Sequence, residues 1–164
     1  MVKNVAVVSL SAGVLGESFA KHELDIGAKR LADYGLNVRF MPHALAGIEH
    51  IKNHPEDRAA DLLAAFRDPE IDMILCAIGG DDTIRLLPYI DYAVISAHPK
   101  IFMGYSDTTI NHFMMLKAGV TSFYGPSVLC EFGEYGAMFD YTAQAVRDLS
   151  LIHISEPTRR VVIS

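Results

Sequence analysis

The sequence predicts an α/β fold, a doubly wound and mainly parallel sheet, and three observations carry that expectation. Apolar runs of strand length alternate with segments of helical period along the whole chain. The first run, Asn4–Leu10, is continuous and rich in β-branched residues, the mark of a strand buried on both faces. Two later runs end in short turns made of glycine, serine and aspartate, as strands do where they give way to helices.

The elements follow in order. Ser18 is placed to cap a helix through Tyr34, which Gly35 would end. Asn37–Met41 reads as the second strand. Pro55 opens a helix in which Ala59, Leu62, Leu63 and Phe66 recur at i, i+3, i+4 and i+7, one buried face. Met73–Ile78 is the third strand, stopped by Gly79–Gly80, and Thr83–Leu87 begins a helical stretch that Pro88 interrupts. Lys100–Gly104 is the fourth strand, Thr109–Lys117 a helix, and Thr121–Tyr124 the fifth strand, closed by Gly125–Pro126. Met138–Leu149 has helical spacing again.

Composition narrows the function classes. The 164 residues are 51% hydrophobic and 21% charged, a balance that supports a packed core without disulfide or metal staples. A net charge of −6 argues against nucleic acid or an anionic membrane as partner, since both need clustered positive charge. The uncharged stretch Asn4–Gly16 is short of a membrane span, and its apolar part, Val5–Val8, is strand length and not signal-peptide length. Cys76 and Cys130 stand in apolar surroundings without a pairing pattern, so a reduced, cytoplasmic setting is expected.

Two turns can carry chemistry. In Gly104–Tyr105–Ser106–Asp107–Thr108–Thr109, a tight strand-to-helix turn would lift the Ser106 hydroxyl above the sheet edge, with Gly104 giving the backbone room to bend. Free N–H groups at the start of the following helix face the same space, so one segment would supply a nucleophile and part of an oxyanion hole. The spacing departs from G-x-S-x-G at Thr108, and Ser106–Asp107–Thr108 reads equally as a helix-capping cluster. In Ile78–Gly79–Gly80–Asp81–Asp82–Thr83, paired glycines would let backbone N–H groups approach a substrate oxygen, as oxyanion donor or phosphate cradle. An ordinary strand-to-helix turn is the plainer reading of the same residues. This turn resembles the GGDGT turn of NAD kinases and lipid kinases, but Asp82 replaces the third glycine and puts a carboxylate where phosphate would approach.

The histidines give no convincing base or metal site. His50 and His54 are four apart with His43 upstream, but Pro55 places His54 before the helix, and no H-E-x-x-H spacing occurs. His112, six residues past Ser106, lies about 9 Å along the following helix on a different face. No metal and no cofactor are expected.

Taken together, VAVVSLSAGVLGE, DLLAAFRDPEIDMILCAIGGDDTIRLLPYID, PKIFMGYSDTT and SFYGPSVLCEFGE resemble the LD-carboxypeptidase family of serine peptidases. That family includes the microcin C immunity peptidases and the murein tetrapeptide carboxypeptidases; the IGGDD and FYGP wording is nearer the former. The resemblance implies a flavodoxin-like sheet, as in the N-terminal domains of class I glutamine amidotransferases. It makes Ser106 the nucleophile and the backbone N–H groups of Asp107 and Gly80 the oxyanion hole, with Gly79, Asp81, Asp82 and Tyr105 lining the substrate site. The implied reaction is metal-free amide hydrolysis through an acyl-enzyme, on a small peptide or peptidyl-nucleotide, with a homodimeric parent as a candidate. The family's Glu and His lie in a second domain, which the resemblance does not reach; neither His112 nor His153 matches the His. Residues 1–148 are therefore expected to be the nucleophile-bearing domain alone, inactive by itself. Leu149–Arg159 reads LSLIHISEPTR, which resembles the in-frame translation of a transposase sequencing adapter in all eleven codons, so 149–164 is expected to be a non-native tail. A phosphotransferase built on Gly79–Gly80–Asp81 and a non-catalytic ligand-binding fragment are the rival expectations.

Overall fold

The computed structural model describes residues 2–151. Five strands form one all-parallel sheet: β1 (Asn4–Val8), β2 (Asn37–Phe40), β3 (Met73–Cys76), β4 (Ile101–Gly104) and β5 (Ser122–Tyr124), in the order β2-β1-β3-β4-β5. This is the expected doubly wound sheet with flavodoxin-like strand order. Every strand falls within its predicted run, each trimmed by one or two residues where ladder pairing ends.

Side chains alternate between the two faces, and each face has its own core. Ala6, Val8, Ile74, Cys76 and Phe102 pack on one face against α3 (Pro55–Arg67), α4 (Tyr92–Ala97) and α5 (Thr109–Lys117), through Leu62, Phe66, Ile95, Met114 and Met115. Val5, Val7, Met73, Leu75 and Met103 face α1 (Lys21–Asp33), α6 (Asp140–Leu151) and the segment after β5, meeting Leu31, Val146 and Phe132 in turn. Burial of the central strands on both faces explains their unbroken apolar sequence.

Several helical expectations change. Ser18 caps nothing: Ser18–Ala20 is a 3₁₀ turn that leads into α1 at Lys21, with Ala20 in the cap position, and the Glu17 side chain beside it accepts the N–H of Ile48 at 2.7 Å. Thr83–Tyr89 is 3₁₀ throughout, and that tighter coil holds Pro88 inside it. The short helix α2 (Gly47–Asn53) and the single π turn at Val128–Phe132 had no clear periodic signal. No helix among the described residues is long and apolar enough to cross a membrane. Of the tail expected from 149 onward, residues 149–151 end α6 and the remainder, with His153, lies outside the described residues.

Candidate active site

Every turn at the carboxyl edge of the three central strands converges on one place. The turn after β4 begins with Gly104, where a Cβ would lie 2.7 Å from both Cys76 Sγ and Thr108 Oγ1, so only glycine fits. Tyr105 is fully extended, and Ser106 then turns sharply with φ 62°, the only non-glycine residue of positive φ among the described residues. Such a conformation costs a residue with a Cβ about 1–2 kcal/mol and persists only where its surroundings hold it. Here three contacts hold it. The Ser106 N–H donates to Tyr124 Oη at 3.1 Å, Thr109 Oγ1 donates to the Ser106 carbonyl at 2.6 Å, and Thr108 Oγ1 donates to the Tyr105 carbonyl at 2.7 Å. Ser106 itself is exposed.

The helix-capping reading of Ser106–Asp107–Thr108 does not describe this turn. No side chain caps α5, and the Asp107 carboxylate points away from it to the neighbouring turn. Its Oδ2 accepts the Asp82 N–H at 3.0 Å, the Thr83 N–H at 2.9 Å and the Ser11 hydroxyl at 2.5 Å. One carboxylate thus ties together the turns after β1, β3 and β4.

Gly79 and Gly80 are where that convergence requires them. A Cβ at Gly79 would lie 2.7 Å from Ser106 Cβ, 2.9 Å from its Oγ and 3.3 Å from the Asp107 nitrogen. A Cβ at Gly80 would meet Ser11 Oγ at 2.3 Å. The two predicted turns therefore lie against each other on one sheet edge, with Gly79 buried and Gly80 and Asp81 exposed. Asp82 faces arginines: its carboxylate is 2.8 Å from Arg58 Nη1 and 3.1 Å from Arg85 Nη1. A cavity of about 340 Å³ opens beside this turn, lined by Ser11, Ala12, Gly13, Ile48, Lys52, Asp81 and Asp82. Tyr105 leans toward the segment after β5, where burial, with Cys130 and Glu131 beside it, pushes its phenol up.

Three contributors escaped the sequence reading. Ser11 follows β1 at the switch point between β1 and β3, the position where open α/β sheets take ligands. Tyr124 ends β5. Arg58 is fully buried on α3 and donates to the carbonyls of Leu10 and Ser11 at 3.0 and 3.3 Å, while its Nε and Nη2 find no partner among the described residues. Its signal was present: a charge on the buried stripe of an amphipathic helix.

His112 has both ring nitrogens engaged, Nδ1 with Ser122 Oγ at 2.8 Å and Nε2 with the Gly104 carbonyl at 2.9 Å. The carbonyl can only accept, so Nε2–H donates to it, and both nitrogens are tied to β4 and β5 and not to Ser106. Among the described residues no side chain is hydrogen-bonded to Ser106 Oγ.

Sheet order and edge geometry define a doubly wound α/β protein whose strained serine turn and glycine turn share the carboxyl edge. Residues 5–125 match the LD-carboxypeptidase N-terminal domain of the S66 peptidases, and the chain belongs to that family. It is similar to an MccF-like protein from Streptococcus pneumoniae, solved in complex with AMP, at 51% identity and a TM-score of 0.87 over 92% of this chain and 45% of that one. The microcin C7 self-immunity protein MccF of Escherichia coli is 40% identical over 91 residues, 55% of this chain and 26% of that protein. A Bacillus subtilis protein named "Probable murein peptide carboxypeptidase" is 36% identical over 112 residues, 68% of this chain and 35% of that protein. The chain thus spans less than half the length of each.

Proposed function

We propose that Ser106 is the nucleophile of a serine carboxypeptidase that cleaves a C-terminal amide bond in a small peptide or peptidyl-nucleotide. The observation that carries this reading is the Ser106 turn: a strained, exposed serine with a glycine backbone packed against its Oγ. The N–H of Asp107, in the first turn after the serine, and that of Gly80 form the oxyanion hole. Asp81, Asp82, Gly79 and Tyr105 border the substrate, with Asp82 held in place by Arg58 and Arg85. The AMP complex of the pneumococcal relative and the microcin-immunity relative support the peptidyl-nucleotide; the B. subtilis relative supports a muropeptide. A cytoplasmic setting fits either substrate and the two unpaired thiols.

A serine hydroxyl needs a neighbouring base. The described residues offer Ser106 none, so this reading takes base and orienting acid from the part of the relatives that the chain does not match. Residues 1–164 alone are expected to leave an LD-muropeptide and a peptidyl-adenylate uncleaved. Residues 1–148 joined to the second half of the pneumococcal relative should hydrolyse one of them, and Ser106→Ala should lower kcat by roughly 10³-fold or more. Turnover that survives Ser106→Ala in the chimera, or hydrolysis by the 164-residue chain alone, would refute the assignment. The reading of 149–164 as adapter-derived has its own test. An independent genomic read should depart from LSLIHISEPTR after Asp148, and one that continues into that string would sink the idea.

A further inference from the structure

On the β2 side of the molecule, three residues distant in sequence meet. His43 lies after β2, His50 on α2 and Asp57 in the first turn of α3. One ligand atom from each lies within 4.8 Å of the others. His50 Nε2 is 2.8 Å and His43 Nε2 3.7 Å from the same Asp57 Oδ2, and the two imidazoles stack with centroids 5.4 Å apart and planes 5° from parallel. Ligand atoms around a tetrahedral zinc ion stand roughly 3.4 Å apart, given bonds of about 2.0–2.1 Å. The two separations from Asp57 bracket that value and the third lies within 4.8 Å, so a tilt of the stacked rings toward each other would bring all three around one ion.

A fourth residue acts as it would behind a metal ligand. His43 Nδ1 lies 2.9 Å from Asp61 Oδ1, and the His43 backbone N–H donates to Asp61 Oδ2 at 2.9 Å. Asp61 is 4% exposed, so this carboxylate is fixed by its burial. With Nδ1–H donating to Asp61, the Nε2 lone pair of His43 is left facing Asp57, the tautomer that a metal requires. The three ligand side chains are each about one-third exposed, which leaves one side open for a solvent ligand.

We infer that His43, His50 and Asp57 bind a divalent transition metal, Zn²⁺ by the mixed imidazole–carboxylate donor set, with Asp61 orienting His43. The ion would join the segment after β2 to α3, whose Arg58, between Asp57 and Asp61, grips the turns after β1 and β3. This site is independent of the peptidase reading, because its readout is metal binding and not turnover.

The test titrates the full chain with Zn²⁺ by calorimetry and with Co²⁺ by visible absorption. The expected result is one ion per chain, Co²⁺ ligand-field bands without thiolate charge transfer, and a Tm that rises with zinc. His50→Ala and His43→Gln should each weaken binding by more than the 10–100-fold expected of Asp61→Asn. His22→Ala, on the other face of the sheet, should bind as wild type. Circular dichroism of each variant without metal separates lost ligation from lost folding, and His43→Gln keeps the side-chain volume. No stoichiometric binding at micromolar zinc, a Co–thiolate band, or unchanged affinity in His50→Ala and His43→Gln would overturn the proposal.

Discussion

At the scale of the residue, Ser106 is where local preference and tertiary demand conflict. A φ of 62° is one that L-residues avoid, and the neighbouring contacts of Thr108, Thr109 and Tyr124 enforce it. Glycine at this position removes the Cβ strain at the expense of a more flexible unfolded chain. Ser106→Gly should therefore be neutral or stabilise by up to ~1 kcal/mol, while Ser106→Val should destabilise by about 1–2 kcal/mol. Urea unfolding of the two variants checks this. A Ser106→Gly variant clearly less stable than wild type would mean that the hydroxyl is a structural group. The same logic, reversed, applies to Gly104, where sulfur and hydroxyl already fill the space a Cβ would take.

At the scale of the element, the segment after β5 depends on one side chain of α1. Arg30 donates from Nη1 to the carbonyls of Glu131 and Phe132, at 3.1 and 2.5 Å, and from Nη2 to those of Glu134 and Gly136, at 2.9 and 3.0 Å. Gly27, one turn earlier on α1, allows the close approach: a Cβ there would lie 2.9 Å from the Val128 carbonyl oxygen. The clamped segment returns to the sheet edge through the Leu129 N–H, which donates to the Ala77 carbonyl at 3.0 Å. Arg30→Ala should cost about 1–3 kcal/mol, discounted for partial exposure. Lysine, with a single point charge in place of a planar fork, should recover little of it. Hydrogen exchange should rise at residues 128–136 and stay unchanged in β1 and β3; full rescue by Arg30→Lys would count against the clamp.

At the scale of the whole molecule, the two-sided core sets a response to alkali. Cys76 is fully buried on β3, and burial pushes its thiol from 9.0 up to about 12, with a Thr108 hydrogen bond pulling weakly the other way. Between those values the folded state keeps a proton that the unfolded state has released, so stability falls as pH rises through the window and is unaffected below it. From pH 9 to 11 the wild type should lose about 2 kcal/mol more than Cys76→Ala, measured as the difference of their urea-unfolding free energies. Parallel curves for the two proteins would show that the thiol ionises in the folded state. Thiol reagents should likewise reach Cys76 only on unfolding.

The sequence by itself determined the sheet and its two turns. Continuous β-branched runs, helical spacing and glycine–aspartate turns are local signals, and strands β1 to β5, helices α3 and α5, and the turns at Gly79 and Ser106 all lie where those signals fall. Ser18 misled because a serine before a helical run has the same local credentials whether the chain enters the α-helix there or first makes a 3₁₀ turn. Tertiary structure alone decided what touches what. Only strand order brings Ser11, Gly80 and Asp107 to one point, from turns 96 residues apart at the extremes. Only the packing of α2 and α3 brings His43 and His50 onto Asp57, which no ligand spacing in the sequence announces. The physical reason is the same in both cases: a turn's conformation follows from its own few residues, but a site forms from groups whose proximity depends on how the whole chain buries its apolar faces.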